Sequence, residues 1–138
     1  MSTLLRCACL AFLASAPNLC YALELIEIVT KERAAELGLV VRAHAAGPDA
    51  IQIELEFPAA GELKDDSSVA LEIRDGKKLL LSLALREEPA KPGMVAVGFA
   101  VDRARLPQLT LKVVTRAQDG RIGHVLRMNE FVDLANLH

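Results

Sequence analysis

Sulfur-containing and large aromatic side chains are scarce in this chain, and they are unevenly placed. The sequence has no tryptophan, one tyrosine and three cysteines. The tyrosine and the cysteines all lie among residues 1–22, as Cys7, Cys9, Cys20 and Tyr21. Residues 23–138 therefore offer no thiol for catalysis or for a disulfide. They also lack the tryptophan and tyrosine rings on which sugar-binding modules stack their ligands.

A strong excess of either charge is also missing. The 16 basic residues include Arg6, which leaves 15 in residues 23–138 against 18 acidic residues and gives a formal net charge of −3. Proteins that bind nucleic acid need a basic surface and, for single strands, aromatic rings for stacking. We therefore expect no nucleic-acid partner.

No apolar run is long enough to cross a bilayer, which takes roughly 20 apolar residues in a helix. The run Cys7–Ala16 is ended by Pro17, and charged residues interrupt the later apolar stretches. We expect no membrane span in residues 23–138.

Residues 1–22 have the three parts of a secretory signal peptide. Arg6 supplies the positive charge, Cys7–Ala16 the apolar region, and Cys20-Tyr21-Ala22 the small residues of a cleavage site. We predict cleavage after Ala22 and a periplasmic or extracellular location for residues 23–138. An uncleaved amino-terminal anchor, or a lipoprotein cleaved before Cys20, are the alternatives.

Apolar and polar residues alternate along most of residues 23–138, as in Ile51–Phe57. Because successive side chains of a strand point to opposite faces, this period indicates strands with one buried face. Turn signals such as Asp75-Gly76 and Asp119-Gly120 separate them. The pattern predicts about eight strands, at 24–29, 39–45, 50–57, 68–74, 77–86, 94–102, 109–117 and 121–133.

Two details interrupt this strand pattern. Thr30 as an amino-terminal cap and Gly38 as a carboxyl-terminal cap predict a short helix at Lys31–Leu37. In the last strand, Phe131 falls on the opposite face from Leu126, and we expect a bulge near residues 129–130 to return it to the core.

Strand number, strand length and hairpin turns predict one all-β domain over residues 23–138. Our first choice is an immunoglobulin-like antiparallel β-sandwich of about 7–8 strands. A small β-barrel is the alternative. The cysteine and tryptophan hallmarks of antibody domains are absent from residues 23–138, so only the general architecture is predicted.

Histidine side chains are the main candidates for metal binding. We expect His44 on a solvated face, His138 at the free terminus, and His124 on an apolar face in the core or at its rim. His124 is a weak metal candidate, with Met128 on the same strand face as a further ligand. Four strand residues span about 13 Å, however, and shared ligands lie about 2 Å from a metal ion. We expect no bound metal and no cofactor.

Other chemical groups are weaker candidates. Asp65 and Asp66 are too few for a calcium ion, which takes six to eight oxygens. Ser82 lies on an exposed strand face with no histidine nearby in sequence, and no Gly-x-Ser-x-Gly turn is present. Glu54 and Glu56 belong to a solvated strand face. We therefore expect that the protein is not an enzyme.

Small residues on one strand mark a possible interaction surface. Ala96, Gly98 and Ala100 share a face that either accepts another backbone or is covered by the short helix or a terminus. Three functions follow, of which a non-catalytic exported module that binds a protein partner is the first. The others are a small-ligand or metal binder that uses the sheet interior or the rim near His124, and an enzyme of an unrecognised type.

Overall fold

The computed structural model describes residues 23–63, 69–117 and 120–137. It contains eight strands, two short α-helices and two 3-10 turns in these ranges. The strands are β1 (Leu23–Ile28), β2 (Val40–Ala45), β3 (Ala50–Pro58), β4 (Val69–Asp75), β5 (Lys78–Leu85), β6 (Met94–Asp102), β7 (Leu109–Ala117) and β8 (Gly120–Arg127). The helices are α1 (Lys31–Leu37) and α2 (Met128–Phe131), and the 3-10 turns are Leu106–Gln108 and Leu134–Asn136.

The strands form two sheets, which confirms the all-β sandwich class. One sheet has five strands in the order β1-β8-β7-β4-β5, and the other has three in the order β2-β3-β6. All neighbouring strands are antiparallel except β1 and β8, which run parallel. Among the described residues, one isolated bridge, between Glu87 and Val95, links the segment that follows β5 to β6. The immunoglobulin-like topology stays a prediction.

The core lies where the two sheets face each other, and the alternating residues supply it. From the three-stranded sheet, Ile51, Ile53, Leu55 and Phe57 are fully buried. From the five-stranded sheet, Leu71, Leu111, Val113 and Leu126 are fully buried. Because the second sheet is two strands narrower, it covers the middle of the wider sheet and leaves that sheet's edge strands partly open.

Helix α1 forms where its caps predict it. The Thr30 side chain accepts a hydrogen bond from the Arg33 amide at 3.2 Å, and Gly38 ends the helix with φ 69°. Ala34 and Leu37 are its buried residues. Two turns of helix are too short to be stable alone, so contact with the core must hold α1 in place.

The end of β8 corrects one expectation. The sequence pattern predicted a strand to residue 133 with a bulge near residues 129–130, but β8 ends at Arg127 and Met128–Phe131 is helical. The Val132 amide donates to the Met128 carbonyl at 2.9 Å, which closes the helical turn. Met128 is fully buried, and the turn brings Phe131 against the core without a bulge.

Candidate functional site

His124, the weak metal candidate, lies in a polar cluster where β1, β8 and α1 meet. It is 4% exposed, and it faces inward with Val113 and Leu126. Its Nδ1 lies 2.7 Å from Glu27 Oε2, and its Nε2 lies 3.4 Å from the Thr115 hydroxyl. A carboxylate only accepts hydrogen bonds, so Nδ1 carries the ring proton and donates a hydrogen bond to Glu27. In the neutral ring, Nε2 then accepts from Thr115.

Glu27 connects this histidine to helix α1. Its Oε1 accepts a hydrogen bond from Arg33 Nε at 2.6 Å, and Arg33 Nη2 lies 2.7 Å from Glu62 Oε2. The hydrogen bond from Arg33 lowers the pKa of the Glu27 carboxyl, burial opposes this, and the hydrogen bond from His124 reinforces it. The same guanidinium lowers the pKa of Glu62. Both carboxylates are therefore held in the charged form.

The order of hydroxyl, imidazole and carboxylate is that of a serine-protease triad, but its setting differs. Thr115 is 3% exposed and His124 is 4% exposed, so a substrate has no route to the hydroxyl in this conformation. Both ring nitrogens already have protein partners. Among the described residues, no group of three or more histidine, cysteine, aspartate or glutamate side chains could hold a metal ion. The cluster ties β1 and α1 to the sandwich.

A second polar cluster holds β1 from the opposite face of the same sheet. The Lys112 ammonium contacts Glu24 on β1 and lies 3.7 Å from Glu72 Oε2 on β4. Its stem crosses above Gly123, where an added Cβ would lie 2.6 Å from Lys112 Cε. Glycine at position 123 therefore makes room for a nearly buried lysine that spans four strands.

The other candidate residues are dispersed. His44 and Ser82 are exposed on different sheets, as expected for solvated faces. Glu56 accepts from Lys91 Nζ at 2.9 Å and from Arg42 at 3.3 Å, and these hydrogen bonds lower the pKa of its carboxyl. Asp65, Asp66 and His138, as well as residues 1–22 with Ala22, lie outside the described residues.

The small-residue face of β6 is open in part. Gly98 and Ala100 are exposed and Ala96 is half-buried, so neither α1 nor a described terminal element covers this face. The Gln52 side chain on β3 approaches Gly98. A Cβ added to Gly98 would lie 3.0 Å from Gln52 Nε2. Strand β6 is also an edge of the three-stranded sheet.

Strand β5 is an edge of the five-stranded sheet among the described strands, and it exposes large apolar side chains. Its sequence is KLLLSLAL, with Leu79 46% exposed and Leu81 42% exposed. The register of β4 against β5 shifts at Ile73/Arg74, which leaves Leu80 as an extra residue turned toward the core. The alternation of apolar and polar residues along β5 predicted that Leu81 is buried. It is exposed because the three-stranded sheet opposite is too narrow to cover this edge strand.

An open groove of about 280 Å³ runs between this strand and β6, and we call it the edge groove. Apolar side chains dominate its walls, and Asp102 and Arg105 stand at one end. Its apolar lining residues are Ala50, Ile73, Leu80, Leu81, Ala100, Val101 and Leu109. Sequence reasoning missed this site, although the uninterrupted run of leucines at 79–81 was a visible signal for it.

Comparisons with known proteins place the chain in no family. A scan against protein-family models found no match, and a search of curated proteins found no match either. Among the described residues, no helix has the length and hydropathy needed to span a membrane.

Proposed function

We propose that the protein is an exported, non-catalytic β-sandwich that binds a polypeptide in extended conformation along strand β5 and the edge groove. Exposure of Leu79 and Leu81 on β5, which pairs with β4 alone among the described strands, carries the proposal. Soluble proteins usually protect such edges with charges, proline or a covering element, because free backbone groups pair with other strands.

The chemistry of the site suits strand addition. An added strand would hydrogen-bond to the β5 backbone, and its alternate side chains would enter the edge groove. The groove walls are apolar, so they select apolar side chains at those alternate positions. The buried Thr115–His124–Glu27 cluster supports a structural role in place of catalysis.

Export is the second part of the proposal, and the composition of residues 1–22 supports it. Amino-terminal sequencing of the protein recovered from the cell envelope or medium tests it. We expect a mature protein that begins at Leu23. A secreted form that still carried Cys20 would contradict cleavage after Ala22.

Site-specific photo-crosslinking in the native host tests the binding site. A photoreactive residue at Ser82, on the exposed face of β5, should crosslink to a polypeptide, whereas one at His44 on β2 should not. Both positions are exposed strand residues, so His44 is the matched control. Absence of a crosslink from position 82, or equal crosslinking from both positions, would refute the proposed site.

A further inference from the structure

We infer that β1 is a detachable edge strand, held by two carboxylates, which opens from β8 while the rest of the sandwich stays folded. Among its described side chains, residues 24–28, none belongs to the core or packs against it. Leu25, Ile26 and Ile28 are 58%, 54% and 45% exposed. Among the described strands, β1 pairs with β8 alone. Opening of β1 therefore removes little apolar surface from the interior, and apolar burial is the main stabilising contribution elsewhere in the fold.

Two polar contacts hold β1 in place of apolar ones. Glu24 and Glu27 are three residues apart, so their side chains lie on opposite faces of the strand. Glu24 contacts the Lys112 ammonium on the outer face, and Glu27 accepts hydrogen bonds from His124 and Arg33 on the inner face. Both glutamate side chains are partly exposed, at 35% and 31%. Ion pairs of this kind add little stability each, so they hold β1 weakly.

The polar groups that β1 would leave behind have other partners. Lys112 Nζ lies 3.7 Å from Glu72 Oε2 on β4, and His124 Nε2 lies 3.4 Å from the Thr115 hydroxyl on β7. Once β1 has left, β8 is the edge of the sheet and water reaches the His124 Nδ1–H. Opening of β1 therefore avoids the cost of a buried donor without an acceptor.

The chain beyond β1 is anchored independently, which places a hinge between Ile28 and Val29. Val29 is fully buried, and its amide donates to the Val125 carbonyl at 2.9 Å. Helix α1 has its own buried residues, and Arg33 keeps its ion pair with Glu62 at 2.7 Å when Glu27 leaves. The opening unit is thus β1 alone, and its departure uncovers backbone groups of β8 for pairing with another strand.

Strand β5, the other edge of the same sheet, provides an internal control. Its Leu80 and Leu83 pack against the core, and Leu85 is 9% exposed. Detachment of β5 would expose these leucines to water, so we expect β5 to open only when the whole domain unfolds. A difference between β1 and β5 then reflects their anchoring and not their position at an edge.

Amide hydrogen exchange of the exported protein, followed by NMR in urea from 0 to about 1 M, tests the inference. Only amides that are hydrogen-bonded to a neighbouring strand are compared. We expect those of β1 to exchange at least about tenfold faster than those of β5. Urea should change the β1 rates little, because a local opening exposes little surface, and should raise the β5 and β7 rates steeply. Rates in β1 that match those in β5, or that rise as steeply with urea, would overturn the inference.

Three variants separate local opening from global unfolding. Ile53→Val, in the core of the three-stranded sheet, should speed exchange in β5 and β7 about two- to tenfold and leave β1 unchanged. Glu24→Gln should speed exchange in β1 about two- to fivefold. Glu54→Gln is its matched control, because Glu54 is an exposed strand glutamate on the other sheet, and it should leave β1 unchanged. Equal acceleration of β1 and β5 in Ile53→Val, or equal effects of the two glutamine variants on β1, would contradict the inference.

Discussion

Replacement of Glu27 by leucine should destabilise the fold, and loss of the hydrogen bond to His124 should cost more than loss of the ion pair with Arg33. The His124 Nδ1–H is buried and would lose its acceptor, which costs about 1–3 kcal/mol. The ion pair with Arg33 is partly exposed, with side-chain exposures of 29% and 31%, and contributes about 0.2–1 kcal/mol. The expected loss in the free energy of unfolding is therefore about 1–4 kcal/mol.

Urea denaturation measures this loss. With an m value of about 1–3 kcal/mol/M, a loss of about 2 kcal/mol lowers the midpoint by roughly 0.7–2 M. Arg33→Gln is the matched control, because it removes the ion pairs of Arg33 with Glu27, Glu36 and Glu62 and keeps the hydrogen bond between His124 and Glu27. We expect it to cost about 0.2–1 kcal/mol for each partly exposed pair at most.

A double variant separates the cost of leaving the His124 N–H without an acceptor from the other effects of leucine at position 27. Glu27→Leu combined with His124→Phe removes both polar partners, and such a paired replacement is far less costly than loss of one partner. We expect it to recover at least half of the stability that Glu27→Leu loses. The reasoning fails if Glu27→Leu costs no more than Arg33→Gln, or if the second substitution recovers nothing.

Three further predictions concern pH and two glycines. The unfolding free energy should fall as pH drops below about 4.3, because Arg33 lowers the pKa values of the Glu27 and Glu62 carboxyls in the folded protein. The stability that these carboxylates contribute is complete above the pKa of glutamate in the unfolded chain and is lost as pH falls through their lower pKa values in the fold. Thermal melts should show a weaker dependence of stability on pH in Arg33→Gln. Gly123→Ala should cost about 1–3 kcal/mol by displacing the Lys112 stem, and urea denaturation should show a much smaller cost in a Lys112→Ala background. Gly38→Ala should lower the melting temperature more than Gly76→Ala, since both have positive φ but only the first would push a Cβ to 2.9 Å from a proline ring.

The strands and the first helix were predictable because their signals are local. Alternation with period two marked Ile51–Phe57 as a strand with one buried face, and the structure buries its apolar members. Thr30 and Gly38 marked α1 through hydrogen bonds that span only a few residues. The helical turn at Met128 was missed, because a four-residue turn held by one backbone hydrogen bond leaves no periodic pattern.

The candidate site depended on contacts that no local pattern carries. His124 was correctly placed on an apolar face, but its partner Glu27 lies 97 residues away in the sequence. Parallel pairing of β1 with β8 brings the two side chains onto one face. The sequence singled out the small residues of β6, whereas the leucines of β5 beside them carry the proposed binding site.

By itself, the amino-acid sequence determined that residues 23–138 form mostly strands with one apolar face and contain no cysteine for a disulfide or thiol chemistry. Period and composition suffice for this, because they act on each strand separately. Only the tertiary structure decided which apolar faces are covered. A three-stranded sheet cannot cover five strands, so Leu111 in the centre is fully buried while Leu81 at the edge stays open.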